Sequence, residues 1–223
     1  MKKVMYFLWT GGWDSTFRVI QLYKRGITIQ PIYVIDHNRP AAQKEIETIT
    51  LLTKQIEQKF ENSNGKILPV KLIKRKDIES SVYLKTIFKL IKRRRPIGKQ
   101  YYWLSCLAQK YDSLEQCFHK EDRDQLISID ELIEIKDETG GRNWVVNPKK
   151  IGFLRSQLFK NIRFPLIYLS KLEMKHYAED HDFIDIMDNT WFCHRSGEKP
   201  CGKCAPCKQY VIDGFGYRLS QLS

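Results

Sequence analysis

The chain has 223 residues, 42% of them hydrophobic and 29% charged, with a formal net charge of +12 and a mean hydropathy of -0.46. That supplies apolar material for one α/β domain with a small appendage rather than two full domains, and no apolar run approaches the length of a bilayer span. The positive excess favours anionic partners (nucleotides, RNA or an acidic protein) without choosing among them, and solubility alone would also account for it.

Residues 3–9 are a continuous apolar run that ends at a glycine pair, the pattern of a central strand in a parallel sheet. The run is short and lacks a small-residue cleavage site, so it reads as a buried strand rather than a secretory signal, and the protein as cytoplasmic. Residues 15–25 follow as a helix with Phe17, Ile20 and Tyr23 inward, closed by Gly26. The β-branched stretch 27–35 is the second strand, with Pro31 marking a bulge or the true start. Pro40 opens a long amphipathic helix through Ile46, Ile49, Ile56 and Phe60, and residues 66–73 alternate as a third strand. This order is the signature of a doubly wound α/β sheet.

Leu84, Ile87, Phe88 and Ile91 give one helical face, which ends at Lys92-Arg93-Arg94-Arg95-Pro96. A second helix uses Tyr101, Leu104, Ala108, Tyr111 and Leu114, and residues 125–129 suit a fourth strand. Residues 130–147 carry no clear period, and Thr139-Gly140-Gly141-Arg142-Asn143 reads as a loop. A helix starts near Pro148, Ser170 caps another that runs to about His181, and a short terminal helix follows the cysteines.

Two segments carry chemistry. Gly11-Gly12-Trp13-Asp14-Ser15-Thr16 joins the first strand to the first helix. The glycines let backbone approach a ligand, Asp14 and Ser15 can cap the helix, and free N–H groups with the helix dipole favour phosphate there. The Ser15 and Thr16 hydroxyls add donors. Neither the Gly-Lys-Ser/Thr ending of a P-loop nor the third glycine of a dinucleotide fingerprint is present. The second segment holds Cys193, Cys201, Cys204 and Cys207, with Gly197, Pro200, Gly202 and Pro206 between them to turn the chain. Four thiolates so spaced close a tetrahedral Zn²⁺ site, with an iron–sulfur cluster or a Cys204–Cys207 redox pair as alternatives. His194 is left as a loop residue.

Thr10-Gly11-Gly12-Trp13-Asp14-Ser15 is similar to the Ser-Gly-Gly-x-Asp-Ser motif of the PP-loop ATP pyrophosphatases, with threonine in place of the usual serine. The resemblance implies an adenine nucleotide α-hydrolase-like fold and cleavage of ATP between its α and β phosphates. It implies Asp14 and Ser15 as catalytic residues and Thr10, Gly11, Gly12, Trp13, Asp14, Ser15 and Thr16 as the nucleotide cradle. Ile35 and Asp36 would lie near the adenine or ribose. Asn189-Thr190-Trp191-Phe192-Cys193 and Pro200-Cys201-Gly202-Lys203-Cys204-Ala205-Pro206-Cys207 resemble the zinc-binding tail of 7-cyano-7-deazaguanine synthases, and Arg163-Phe164-Pro165-Leu166 with Ser170-Lys171 resembles the segment that leads to it. The likeness covers residues 4–16 and 161–207. It divides the chain into an ATP-binding part, 1–188, and a zinc tail with terminal helix, 189–223.

Those enzymes serve queuosine biosynthesis. They adenylate 7-carboxy-7-deazaguanine, displace AMP with ammonia, and activate the amide with a second ATP to reach the nitrile. ATP, Mg²⁺ and Zn²⁺ are therefore the expected cofactors, with Asp14 as an outer-sphere partner of Mg²⁺. The expected partners are a deazapurine acid and ammonia or another amine, with no membrane, and a homo-oligomer is compatible. The chain departs from the family where Val-Pro-x-Arg-Asn is usual, having Arg95-Pro96-Ile97-Gly98-Lys99-Gln100, and where Tyr-Gly-Gln-Arg/Lys-His is usual, having Asp36-His37-Asn38-Arg39-Pro40. Arg39 and Lys99 are the remaining candidates for gripping substrate. Relatives of these synthases occur in antiviral defence operons, so transfer of the activated acid to a protein or nucleic-acid amine stays open. So do a tRNA-modifying enzyme and a non-catalytic assembly module. Lys92-Arg93-Arg94-Arg95 is a solvated helix end or a contact for RNA or an acidic partner, and Tyr101-Tyr102-Trp103 is core or a platform for a purine.

Overall fold

The computed structural model describes residues 4–36, 39–120, 127–137 and 140–221. Strand β1 (Val4–Leu8) lies in a parallel sheet, flanked by β2 (Thr28–Ile35) on one side and by β5 (Leu114–Glu115) on the other. Beyond β2 lie β3 (Lys66–Ile67) and β4 (Lys71–Lys74), which share its outer edge, and beyond β5 lies β8 (Ile162–Arg163). The chain winds outward from β1 through β2 to β3 and β4, then crosses to β5 and β8. This is the doubly wound parallel sheet, and its order reverses between β1 and β5, where the crevice at the strand ends opens.

Alternation along the two central strands sorts their side chains into two cores. Met5, Phe7, Ile29 and Tyr33 enter one hydrophobic cluster, with α1 (Trp13–Lys24) and α2 (Ala42–Lys59). Tyr6, Leu8, Ile32 and Val34 face the other, with α3 (Val82–Arg94) and α4 (Gln100–Ala108). Both faces of the sheet are thus covered, as near-continuous apolar strands require. α1 ends in a Schellman motif: Gly26 has φ +74°, its N–H donates to the Tyr23 carbonyl, and the Ile27 N–H donates to the Leu22 carbonyl.

Several sequence expectations change. Register runs unbroken from Val4 opposite Thr28 to Leu8 opposite Ile32, so Pro31 makes no bulge. The third strand is split at Pro69, and the Gln30 side-chain amide spans the gap by donating to the Pro69 carbonyl at 2.9 Å. α4 stops at Ala108, and Leu114 is the first residue of β5, fully buried by pairing with Ile162. Of the strand expected over 125–129, residues 125 and 126 lie outside the described residues, and Ile129 opens a 3-10 turn, Ile129–Glu131. The stretch without a clear period contains an antiparallel hairpin, β6 (Leu132–Lys136) and β7 (Arg142–Val146), so Arg142 and Asn143 are strand, not loop.

The hairpin holds β5 in place. Glu115, fully buried on β5, takes a two-point ion pair from Arg18 of α1 (2.8 and 2.7 Å) and a 2.6 Å hydrogen bond from the Asn143 side chain. Arg18 also reaches Asp137, which accepts from the Gly141 N–H at 2.8 Å. A buried charge is tolerated only when its partners are complete, and here they lock the residues that follow β5 against β1.

The helices after the hairpin are α5 (Pro148–Ile151), α6 (Phe153–Leu158), α7 (Lys171–Asp180), α8 (Ile184–Met187), α9 (Ala205–Ile212) and α10 (Arg218–Gln221). Ser170 caps α7, as its sequence indicated, and the structure completes a capping box with Glu173. Among the described residues, no helix is long and apolar enough to cross a membrane.

Candidate functional site

A cleft of about 390 Å³ opens at the reversal of strand order. It is lined by Thr10, Gly12, Asp14 and Ser15 from the glycine turn, Asp36 and Arg39 after β2, Lys99, Gln100 and Trp103 around the start of α4, and Gln116 and Cys117 after β5. The turn is built by Gly11. At φ +69° its backbone suits glycine, and a Cβ there would meet Thr48 Cγ2 at 3.1 Å and the Glu45 carbonyl at 3.3 Å. Gly12 is the N-cap residue of α1, and no side chain caps the helix. Asp14 and Ser15 lie in the first turn instead of capping it, so the leading N–H groups keep the capacity to bind an anion.

The side chains of the motif divide. Ser15 lines the cleft and donates to the Gly12 carbonyl at 3.1 Å. Thr16 is fully buried and its hydroxyl accepts from Trp9 Nε1 at 3.0 Å, so it faces the core and not the cleft. Trp13 turns away as well: its ring meets Phe215 edge-on at 4.9 Å and lies under the Arg218 guanidinium. Asp14 Oδ1 and Gln116 Oε1 are buried and have no hydrogen-bond donor. Two acceptors left unmet beside one cleft call for a donor or a cation from a ligand, since burial without a partner is costly.

Sequence reasoning missed what stands behind Asp14. His119, 4% exposed, places Nε2 3.9 Å from Asp14 Oδ2 and 2.7 Å from Lys171 Nζ. Lys171 Nζ and His119 Nε2 are thus within hydrogen-bond distance of each other on the far side of the carboxylate. Lys171 Nζ also lies 3.6 Å from Asp213 Oδ2. Lys171 was legible as a neighbour of the Ser170 cap, but His119 follows a two-residue strand that leaves no periodic trace.

The residues expected near the base and the substrate are also placed. Asp36 lines the cleft and pairs with Arg75 at 2.6 Å, whereas Ile35 packs against the first core. Arg39 pairs with Glu45 at 2.5 Å, and Glu45 also accepts from the Tyr33 hydroxyl at 2.7 Å. Burial pushes the Glu45 carboxyl above its ordinary value, against the opposing pull of Arg39 and Tyr33. Lys99 is exposed at the rim. His37 and Asn38 lie outside the described residues. Of the aromatic trio, Trp103 lines the cleft, while Tyr101 packs on Phe118 and Phe159 and Tyr102 on Phe88.

The four cysteines converge. Their sulfur atoms lie within 4.8 Å of one another, with pairs at 3.3 Å (Cys204–Cys207) and 4.0 Å (Cys193–Cys204 and Cys201–Cys207). Tetrahedral Zn–S bonds of about 2.3 Å place sulfurs about 3.8 Å apart, so the set could hold one zinc ion, and it is too tight to enclose a multi-iron cluster. Backbone N–H groups of Lys203 and Cys204 stabilise the Cys201 thiolate and pull its pKa to about 6, while burial pushes Cys207 up. His194 is exposed and outside the set. The tail is bound to the glycine turn: the Trp191 N–H donates to the Gly11 carbonyl at 2.9 Å. Arg218, fully buried, donates to the carbonyls of Thr190 and Asp188 at 2.6 and 2.9 Å and lies over the rings of Trp13, Phe192 and Tyr210.

A larger cavity of about 500 Å³ lies along α1 and is lined by Arg18, Arg142, Trp144 and Tyr177 among others. Arg18 and Arg142 are spent on Glu115 and Glu134, which leaves less polar capacity there than in the cleft.

No protein-family model and no curated protein matches the chain. Among solved structures, the chain is similar to one described as a predicted subunit of tRNA methyltransferase from Methanocaldococcus jannaschii, with 19% identity over 79% of this chain and 74% of that one and a TM-score of 0.41. That likeness is too loose to bear on chemistry.

Proposed function

We propose that this chain is an ATP-dependent C–N ligase of the kind its two motifs resemble. It adenylates the carboxylate of 7-carboxy-7-deazaguanine or a close analogue and forms an amide or nitrile, releasing AMP and pyrophosphate. The observation that carries this reading is the convergence of Asp14 Oδ1 and Gln116 Oε1, both lacking donors, on a cleft that begins at the uncapped end of α1.

The phosphates of ATP lie against the first turn of α1, where N–H groups and the Ser15 hydroxyl meet the charge that develops on pyrophosphate. Mg²⁺, when bound, would neutralise phosphate charge, with Asp14 as its outer-sphere partner. The Lys171–His119 pair stands behind Asp14, with His119 Nε2 3.9 Å from Asp14 Oδ2. A carboxylate oxygen of the substrate attacks the α-phosphorus and pyrophosphate leaves. Ammonia then attacks the acyl carbon, losing a proton as AMP departs. A second adenylation, on the amide oxygen, leads to the nitrile. Trp103 offers the cleft an aromatic face for a purine-like ring.

A second reading, in which the activated acid is passed to an amine on a macromolecule, is favoured by one observation. Arg39 is committed to Glu45 and Asp36 to Arg75, so the segment that departs from the family pattern spends its charge internally. Mass spectrometry of products from Mg-ATP, the deazapurine acid and ammonium tests both. Amide or nitrile with AMP supports the first reading, AMP with no new base product supports the second, and no AMP overturns both.

A further inference from the structure

We infer that the face formed by the end of α3 and the start of α6 binds single-stranded RNA. Among the described residues, 80–111 and 140–172 contain no acidic side chain, and the fold packs these stretches together through α3 and α6. Their meeting line is a groove of about 350 Å³, bounded by Arg94 and Arg95 on one side and by Gly152, Phe153 and Leu154 on the other. Phe153 is 65% exposed beside it. Lys92 and Arg93 are exposed at the end of α3 and Lys149 and Lys150 on α5, just before α6, and among the described residues none of Lys92, Arg93, Arg94, Arg95, Lys149 and Lys150 takes part in an ion pair. Arg155, which also lines the groove, is bound to the nearly buried Glu131.

A solvated helix end would complement the α3 dipole with one or two cations and leave the apolar groove unexplained. Unpaired guanidinium and ammonium groups beside an exposed ring match a strand of phosphates with unstacked bases, because cations neutralise the backbone and a ring stacks on any base. An acidic protein would use the charge and gain less from Phe153. Arg95 borders the groove and Lys99, four residues on, lines the cleft.

The test is fluorescence anisotropy of the whole chain with a labelled single-stranded oligoribonucleotide across a salt series. A variant combining Lys92→Glu, Arg93→Glu and Arg94→Glu should lose binding by at least tenfold and flatten the salt dependence by about 0.7 in log–log slope for each contact removed. Phe153→Ala should weaken binding by about tenfold with the slope unchanged. Lys54→Glu, on the exposed side of α2, is the control and should bind as the parent does. Three results overturn the proposal: no binding by the parent chain at low salt, a loss in the Lys54→Glu control equal to that in the triple variant, or polyglutamate competing as well as RNA while Phe153→Ala has no effect. The last would assign the face to an acidic protein. None of these side chains contacts the cleft acceptors, so ATP turnover reports separately on the proposed reaction.

Discussion

The Trp191 N–H donates to the carbonyl of Gly11 at 2.9 Å, which joins the cysteine tail to the turn that starts α1. Arg218 reinforces the joint from the far end of the tail by lying over Trp13. The four cysteines and the glycine turn are therefore tied through one packed cluster that holds Trp13, Trp191, Cys193, Cys204 and Cys207.

Asp14→Asn should cut pyrophosphate release about 100-fold or more, the scale of losing a charge-stabilising group in a dry site. Because Asp14 Oδ1 has no protein donor, the thermal midpoint should move little. A turnover assay beside a melting curve checks both, and a large drop in the midpoint would make Asp14 structural.

Plasma mass spectrometry of purified protein should find one zinc per chain. Chelation, or Cys204→Ser, should lower the melting temperature and weaken ATP binding together, since ligand thiolates supply folding energy and the tail is hydrogen-bonded to Gly11. Loss of zinc with unchanged nucleotide affinity would show that the two sites are independent.

Arg218→Met keeps much of the packing against Trp13, Phe192 and Tyr210 but strands the acceptors of Thr190 and Asp188. Leaving buried acceptors unmet should cost about 3 kcal/mol in denaturant unfolding. A cost near zero would mean that water or another donor replaces the guanidinium.

Glu115→Gln leaves Arg18 buried without its two-point partner. Breaking such a pair costs about 3–5 kcal/mol. The isosteric amide can still accept from Asn143 through its carbonyl oxygen, so the check is whether Arg18→Met in the Glu115→Gln background recovers part of the loss in chemical denaturation.

Glu45 links stability to pH. Burial holds its folded-state pKa above the ordinary value of 4.5, so the folded chain binds this proton more tightly than the unfolded chain does. The contribution is fully present below pH 4.5 and is lost as pH rises through the folded value. Glu45→Gln should remove that part of the slope between pH 4.5 and neutrality, and unfolding curves at stepped pH would show an unaltered slope if the carboxyl titrates elsewhere.

Signals carried by neighbouring residues were legible before the fold was known. Gly11-Gly12 ahead of a helix, the cysteine spacing, the Ser170 cap and the apolar and β-branched runs of the first two strands depend on local sequence alone. The doubly wound sheet followed from their order. What only the tertiary structure decided lies where partners are far apart in the chain. β5 and β8 have two residues each, too few to show a period, and exist because Leu114 and Glu115 pair with Ile162 and Arg163. Arg18 meets Glu115 across a separation of 97 residues, and through that pair Gln116 and His119 arrive beside Asp14. The resemblance put Trp13 and Thr16 in the expected nucleotide cradle, but the packing against Phe215 and the bond from Trp9 turn both inward. Side-chain direction at a turn is set by what is packed behind it, and for Trp13 that is Phe215, from the opposite end of the chain.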